Sequence, residues 1–481
     1  MSTVSLWAAA AALFAGPVAT AFTSGGYGLP AGEAGSQSQL IATAAALGLI
    51  ALLAIVAPWS LFPRGLPLLA LAALLGLGLW TGLSTGWAQI LDTAVQDTDR
   101  LAMYCACFGL ALIVMRVPAI RRIAPEVLLA GVLVVSLYAL AGRLLPDLVD
   151  QKVNSTRLSQ PLTYWNALGI FTGFGVLLGV AVAGDEMRTR LWRSLACAAA
   201  VPCGFAAFLT LSRGVVAAVA AGLVVAIALG RGRGTAIAAV CAVVPIAALA
   251  LVTGAAFPEV LEQGTDRAAQ VSQGATFLPL AVAATVAAGL AFAWLSRSRL
   301  ARGELPLRGR GRTAVAILIV PLVLGLAVAI SSQSTEKTVV PKTASRFTRA
   351  DTNRGHYWRV SLRAFERHPI NGVGSGSFAT VWARERGKDQ PALDAHSLYL
   401  ETLAELGVVG GLLLLAFVGA TTAGVVRAAR AGRGDAVVVA AAAVLGAFAV
   451  HAGLDWDWEM PAVSLIPLIL AAAVLQRRID S

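Results

Sequence analysis

The sequence predicts an all-α fold, a polytopic membrane bundle of about 12–14 transmembrane helices with one large extracytoplasmic helical loop. Three observations predict it. Of 481 residues, 58% are hydrophobic and only 13% charged, whereas soluble domains carry about a quarter charged residues. Mean hydropathy is +0.76. Apolar blocks long enough to cross a hydrocarbon core of about 30 Å recur from end to end. In lipid each block must satisfy its own backbone polar groups, which makes it a helix. The residue-by-residue alternation of a transmembrane β-strand is absent.

The first block, 5–22, is apolar, and no Lys or Arg precedes it. A secretory signal carries a positive segment there, so this block reads as a first membrane helix. Blocks follow near 40–57, 66–83, 101–115, 126–145 and 164–183. The apolar run from Ser194 to Leu229 is too long for one helix. It divides into 194–211 and 213–229 at the polar break Thr210-Leu211-Ser212-Arg213-Gly214. Further blocks lie near 235–257, 276–296, 313–332, 398–424, 436–454 and 460–476. The expected domains are an N-terminal transmembrane bundle (1–332), a large outward loop (333–397) and C-terminal transmembrane helices (398–481).

Net charge is +11, but the basic residues sit in short loops between apolar blocks, which speaks for membrane topology and against nucleic acid. Counted alternately from an inside N-terminus, the inside loops hold Arg64, Arg116, Arg121, Arg122, Arg188, Arg190, Arg193, Arg231, Arg233, Arg427, Arg430 and Arg433, besides the cluster at 297–312. The short outside loops hold acids such as Asp92, Asp147, Asp150, Glu259, Glu262 and Asp266. Positive loops stay inside, so both termini are expected in the cytoplasm. The five cysteines, Cys105, Cys107, Cys197, Cys203 and Cys241, all fall in apolar spans. That placement excludes a disulfide framework or a zinc site and makes them small core residues.

The polar, basic stretch 333–397 is long enough to suggest a use. Thr352 or Asn353 caps a predicted helix through Phe365, and Pro369 stops it. Trp358, Leu362 and Phe365 form an apolar stripe on it, and Arg359, Arg363 and Arg367 a basic one. Such a helix suits a membrane surface. The segment Asn371-Gly372-Val373-Gly374-Ser375-Gly376 permits either a plain turn or a phosphate-cradling loop. His396 sits where the next span begins, as an interface residue or a catalyst. Two acidic pairs, Asp97/Asp99 and Asp455/Asp457, read as solvated helix ends, with a divalent-cation site as the competing reading.

Several motifs occur in a telling order. They are Arg157-Leu158…Pro161…Tyr164-Trp165-Asn166, Leu211-Ser212-Arg213-Gly214, Arg354…Trp358, His368-Pro369-Ile370-Asn371-Gly372-Val373-Gly374-Ser375-Gly376-Ser377-Phe378, His396-Ser397-Leu398-Tyr399-Leu400-Glu401…Glu405-Leu406-Gly407, and His451…Asp455. Together they resemble the O-antigen ligase and O-antigen polymerase family, with the loop motifs the most specific part.

The resemblance implies a GT-C-like glycosyltransferase of the bacterial cytoplasmic membrane. It would transfer a polyprenyl-diphosphate-linked glycan to an acceptor hydroxyl (of a glycan, lipid or protein) at the outer face. It implies inversion at the anomeric carbon, without cofactor, nucleotide sugar or metal. The family's functional residues map onto His396 as general base and onto Arg213 and Arg354 as the clamp on the diphosphate. Arginine suits that task because it stays charged and grips phosphate oxygens in a fork. Arg157, Trp358, Arg359, Gly374 and Gly376 are the candidate substrate-binding residues. On bare chemistry the arginines serve equally well as membrane-interface contacts. The motifs do not separate ligase from polymerase. A secondary transporter or flippase of an envelope precursor is the competing class. It would need ionisable groups at mid-membrane, and the spans here carry almost none.

Overall fold

The computed structural model describes residues 3–27, 41, 43–45, 47–48, 63–151, 156–230, 234–264, 266–297, 354–386, 392–431 and 434–477. The described residues form helices joined by short connections, with no strand among them. They are α1 (Thr3–Ala21), α2 (Leu66–Ser84), α3 (Leu91–Val114), α4 (Pro118–Leu144), α5 (Trp165–Gly184), α6 (Arg190–Leu209), α7 (Arg213–Leu229) and α8 (Gly234–Ala256). After these come α9 (Pro258–Leu261), α10 (Arg267–Leu295), α11 (Arg354–Arg367), α12 (Phe378–Glu385), α13 (Leu398–Arg430), α14 (Ala436–Ala452) and α15 (Pro461–Leu475).

Seven of these are long and apolar enough to cross a membrane: α2, α4, α5, α6, α8, α10 and α13. Four shorter apolar helices, Ser5–Ala21, α7, α14 and α15, accompany them. This is the expected polytopic bundle. Twelve of the fourteen apolar blocks are helices. The block at 313–332, most of that at 40–57, and the caps at Thr352 and Asn353 lie outside the described residues. The bend at Thr210 also stands: Leu211 adopts φ +51°, and Ser212 caps α7 by accepting from the Val215 N–H.

The chain forms two compact units: 1–121, 351–431 and 451–481 make one, and 122–350 with 432–450 the other. In the first, α13 packs on α2, α2 on α3, α15 on α3, and α11 on α13. In the second, α5 is the hub. It packs against α6, α7 and α8, and its whole apolar window is buried. That burial explains its unbroken hydrophobicity, because no face needs to meet water. Its small residues allow close approach: Gly169 and Gly173 lie under Val215 and Val219 of α7, and Gly175 and Gly179 under Cys203 and Ala200 of α6. By contrast, only 11% of the α10 window is buried, which leaves an apolar flank for lipid. All five cysteines are buried and free.

Candidate functional site

In the first unit the site is built on a break in α13. At Gly407 the backbone turns to φ +65°, ψ −164°, and the helical ladder fails there. Broken carbonyls and amides must find other partners. The glycine segment supplies them. The Val373 N–H donates to Ala404 O (3.0 Å), the Gly374 N–H to Glu405 O (2.9 Å), and the Val408 N–H to Pro369 O (2.8 Å). From α2, the Trp80 indole N–H donates to Leu406 O (2.9 Å).

The Glu405 carboxylate completes the clasp. It accepts the Gly376 N–H (2.9 Å) and the Phe378 N–H (2.8 Å), capping the start of α12. Gly374, at φ +93°, lies so close to Ala88 that a Cβ would sit 2.4 Å from its Cα. The phosphate-cradle expectation for Gly374 and Gly376 therefore needs correcting. Both N–H groups are already committed to Glu405, and the glycines serve close packing on α13 and the α2–α3 corner.

A small core sits on this platform. Tyr357, Val360 and Ala364 of α11 pack with Val373, Phe378, Val381, Trp382, Ala395 and Ala404. The expected apolar stripe is thus in the wrong register. Leu362 is 43% exposed, and Phe365 is only half-buried. The face one residue earlier is buried because its tyrosine edge and small residues fit the Ala404 surface. Trp358 packs half-buried at the edge of this core, and its indole N–H is buried without an acceptor among the described residues. Arg359 is exposed and donates to His356 Nδ1 (2.8 Å). Arg363 and Arg367 both pair with Glu385.

Arg354 opens α11, and its Nη2 donates to Asp455 Oδ2 (2.9 Å). The guanidinium keeps 24% of its side-chain surface accessible, whereas Asp455 keeps 1%. Asp455 therefore holds Arg354 from beneath and leaves it reachable. Three residues on, the Tyr357 ring lies 5.3 Å from the His396 ring, centroid to centroid. One face of α11 thus serves both residues.

His396 stands in the left-handed region at φ +53°. Its Nδ1 is 3.1 Å from Asp394 O, and a carbonyl can only accept, so Nδ1 carries the proton and Nε2 the lone pair. The Ala395 N–H donates to Glu401 Oε2 (2.8 Å). Burial pushes the Asp394 carboxyl up from 3.8 to about 6; His396 and Arg100 oppose that rise, and Asp97 and Asp455 add to it.

Behind this lies a cavity of about 40 Å³, lined among others by Asp97, Arg100, Ser375, Glu401, Glu405 and Glu459. Arg100 bridges Asp97 (2.7 Å) and Glu459 (3.4 Å), and the Ser375 hydroxyl donates to Asp97 (2.6 Å). Asp97, Asp455 and Asp457 are accordingly not solvated helix ends. Asp455 and Asp457 are each 1% exposed, and Asp457 is bonded to His451 Nδ1 (2.5 Å). Among the described residues, no group of three His, Cys, Asp or Glu side chains is arranged to hold a metal ion.

In the second unit, two motifs that stand far apart in sequence meet at one corner. Arg157 donates from Nε to Thr210 O (2.6 Å), lies 4.8 Å from the Trp165 ring centroid, and reaches Asn166 Oδ1 (3.5 Å). The Leu158 N–H donates to Leu209 O (3.2 Å). Arg213, first residue of α7, follows directly on that corner. Arg143, 1% exposed, fastens the approach to it by donating to Thr156 O (3.0 Å) and Val260 O (3.2 Å).

Comparison with known families matches residues 275–415 to O-antigen ligase. The protein carries an O-antigen ligase domain. No curated protein matches the chain. The O-antigen ligase domain contains Arg354, Trp358, Arg359, Gly374, Gly376 and His396, together with Glu401 and Glu405. It supports a glycan ligase- or polymerase-type function in a multi-pass membrane protein. Asp97 and Asp455, which bond the domain's own Ser375 and Arg354, lie outside its bounds, as does Arg100, which holds Asp97. Sequence reasoning missed Asp455 as the partner of Arg354 and overlooked Arg100 altogether. The one signal for Arg100 was a charge pair, Asp97 and Arg100, spaced one turn apart at the head of an apolar helix.

Proposed function

We propose that the protein transfers a polyprenyl-diphosphate-linked glycan to an acceptor hydroxyl at the outer face of the bacterial cytoplasmic membrane. The observation that carries this reading is that α11 begins with a reachable guanidinium, Arg354, and one turn later lays the Tyr357 ring against the His396 imidazole. His396 presents Nε2 as the proton acceptor because Nδ1 donates to the Asp394 carbonyl. In the reaction the acceptor oxygen attacks the anomeric carbon as its proton passes to Nε2. The bond from that carbon to the diphosphate breaks with inversion, and the polyprenyl diphosphate departs with the electron pair.

Arg354 meets the departing charge. Asp455 uses one of its five N–H donors and fixes the plane of the fork for phosphate oxygens. For Arg157 and Arg213 the same kind of contact, donation to phosphate, rests on the chemistry of their own corner and on the family resemblance. Trp358, with its buried indole N–H, suits a sugar or phosphate oxygen.

The test uses lipid-linked glycan extracted from the producing bacterium deleted for this gene, with the purified full-length protein. Transfer is expected to fall about 10²–10⁴-fold in His396→Ala, the worth of a general base. In Arg354→Lys, which keeps charge but loses the fork, a fall of about 10²-fold or more is expected. Near-normal turnover in both variants would refute the scheme.

A further inference from the structure

We infer that Glu401 is a positioning residue for His396, a role that rests on the reading of His396 as the base. The left-handed conformation of His396 costs a non-glycine residue energy, and such conformations persist only where the surroundings over-determine them. Three restraints converge on it. Tyr357 lies against the ring, the Asp394 carbonyl takes Nδ1–H, and Glu401 takes the N–H of the preceding residue, Ala395, at 2.8 Å.

The third restraint is the unusual one. Glu401 lies one turn into α13, and its only described side-chain hydrogen bond is to that backbone N–H. No described ion pair engages it, and Asp97, Glu405 and Glu459 share the cavity it lines. A carboxyl group buried among other acids is costly unless its position does something an apolar side chain could not. Here it ties the strained loop to the first turn of a long rigid helix. Ala395 is fully buried, so the loop has no slack on that side. Glu405, one turn later, clasps the glycine segment in the same manner. Two glutamates four residues apart thus fasten both loop segments of the site to one helix.

The experiment reads the imidazole directly. Full-length protein in detergent is treated with diethyl pyrocarbonate, and modification of His396 is followed by peptide mass spectrometry, with His356 and His368 as internal references. In Glu401→Ala the His396 rate should change about five-fold, the shift expected from one lost buried hydrogen bond, while the references stay constant. Glu401→Gln, whose amide oxygen still accepts, should behave like the parent. Glu401→Asp, which keeps a carboxyl group but is too short to reach Ala395, should behave like the alanine variant and serves in its place if that protein does not fold. In the transfer assay, Glu401→Ala should lose about 10–10²-fold in kcat with KM for the donor little changed, as misplacement by about 1 Å does, and glutamine should restore it. An unchanged His396 rate in both Glu401→Ala and Glu401→Asp, or failure of glutamine to restore it, overturns the inference. Normal transfer by His396→Ala overturns the catalytic reading instead, and the labelling result still decides the positioning claim.

Discussion

His396 is held by groups that surround it in space: the Asp394 carbonyl on Nδ1, the Tyr357 ring, and Glu401, which accepts the N–H of Ala395 one residue back along the chain. Asp394 itself titrates with consequences. Burial raises its carboxyl from 3.8 to about 6, so the folded state holds a proton that the unfolded chain has released. The stabilisation is complete below the unfolded value and is lost as pH rises through the folded one. Stability should therefore fall between pH values of about 4 and 6 on account of this group. Asp394→Asn, neutral throughout, should raise the melting temperature relative to the parent at pH 7 and leave it nearly level at pH 4. Equal differences at both pH values would contradict the assignment. Histidine and arginine at the site were legible in the sequence because they belong to ordered motifs. Their braces were not: Asp455 lies 101 residues from Arg354, and Asp97, which holds Ser375, lies 278 residues from it. Nothing local in the chain reports such a distance.

Among the elements, α13 does the most. It serves both as a membrane-length helix and, in its first turns, as the platform for the glycine segment and the His396 loop. The division falls at Gly407, where a Cβ would lie 2.2 Å from Ile370 O. Gly407→Ala should release the glycine segment from the helix and cost about 1–3 kcal/mol in backbone strain alone. The check is limited proteolysis of the 368–378 segment in detergent; cleavage no faster than in the parent would count against this account. The helix was legible from its apolar block. The kink was not, because a lone glycine in a helical pattern signals nothing definite. The register of α11 was also misjudged. Trp358, Leu362 and Phe365 look like the buried stripe by hydrophobicity, yet Tyr357, Val360, Ser361 and Ala364 are buried. Close packing against Ala404 selects size and shape over hydrophobicity alone.

For the whole molecule, the proposal requires that 333–397 face outward, the orientation expected from the arginine-rich short loops. The five native cysteines are buried, so a single engineered thiol at the exposed position of Arg363 has a quiet background. Arg363→Cys should react with a membrane-impermeant maleimide in intact cells. Labelling only after the membrane is opened would place the loop in the cytoplasm and remove the proposed site from its substrate. At this scale the sequence by itself determined which segments are helices, because a backbone in lipid has no other way to satisfy its polar groups. It also pointed to the O-antigen ligase domain matched at residues 275–415, because the loop motifs follow one another in order there. Tertiary structure alone decided what each polar group does. It turned the candidate cradle glycines into packing surface, made buried braces of acids that looked solvated, and set two glutamates to hold the loops of the site. Hydrogen bonds and ion pairs act over a few ångströms in space, and only folding brings those distances about.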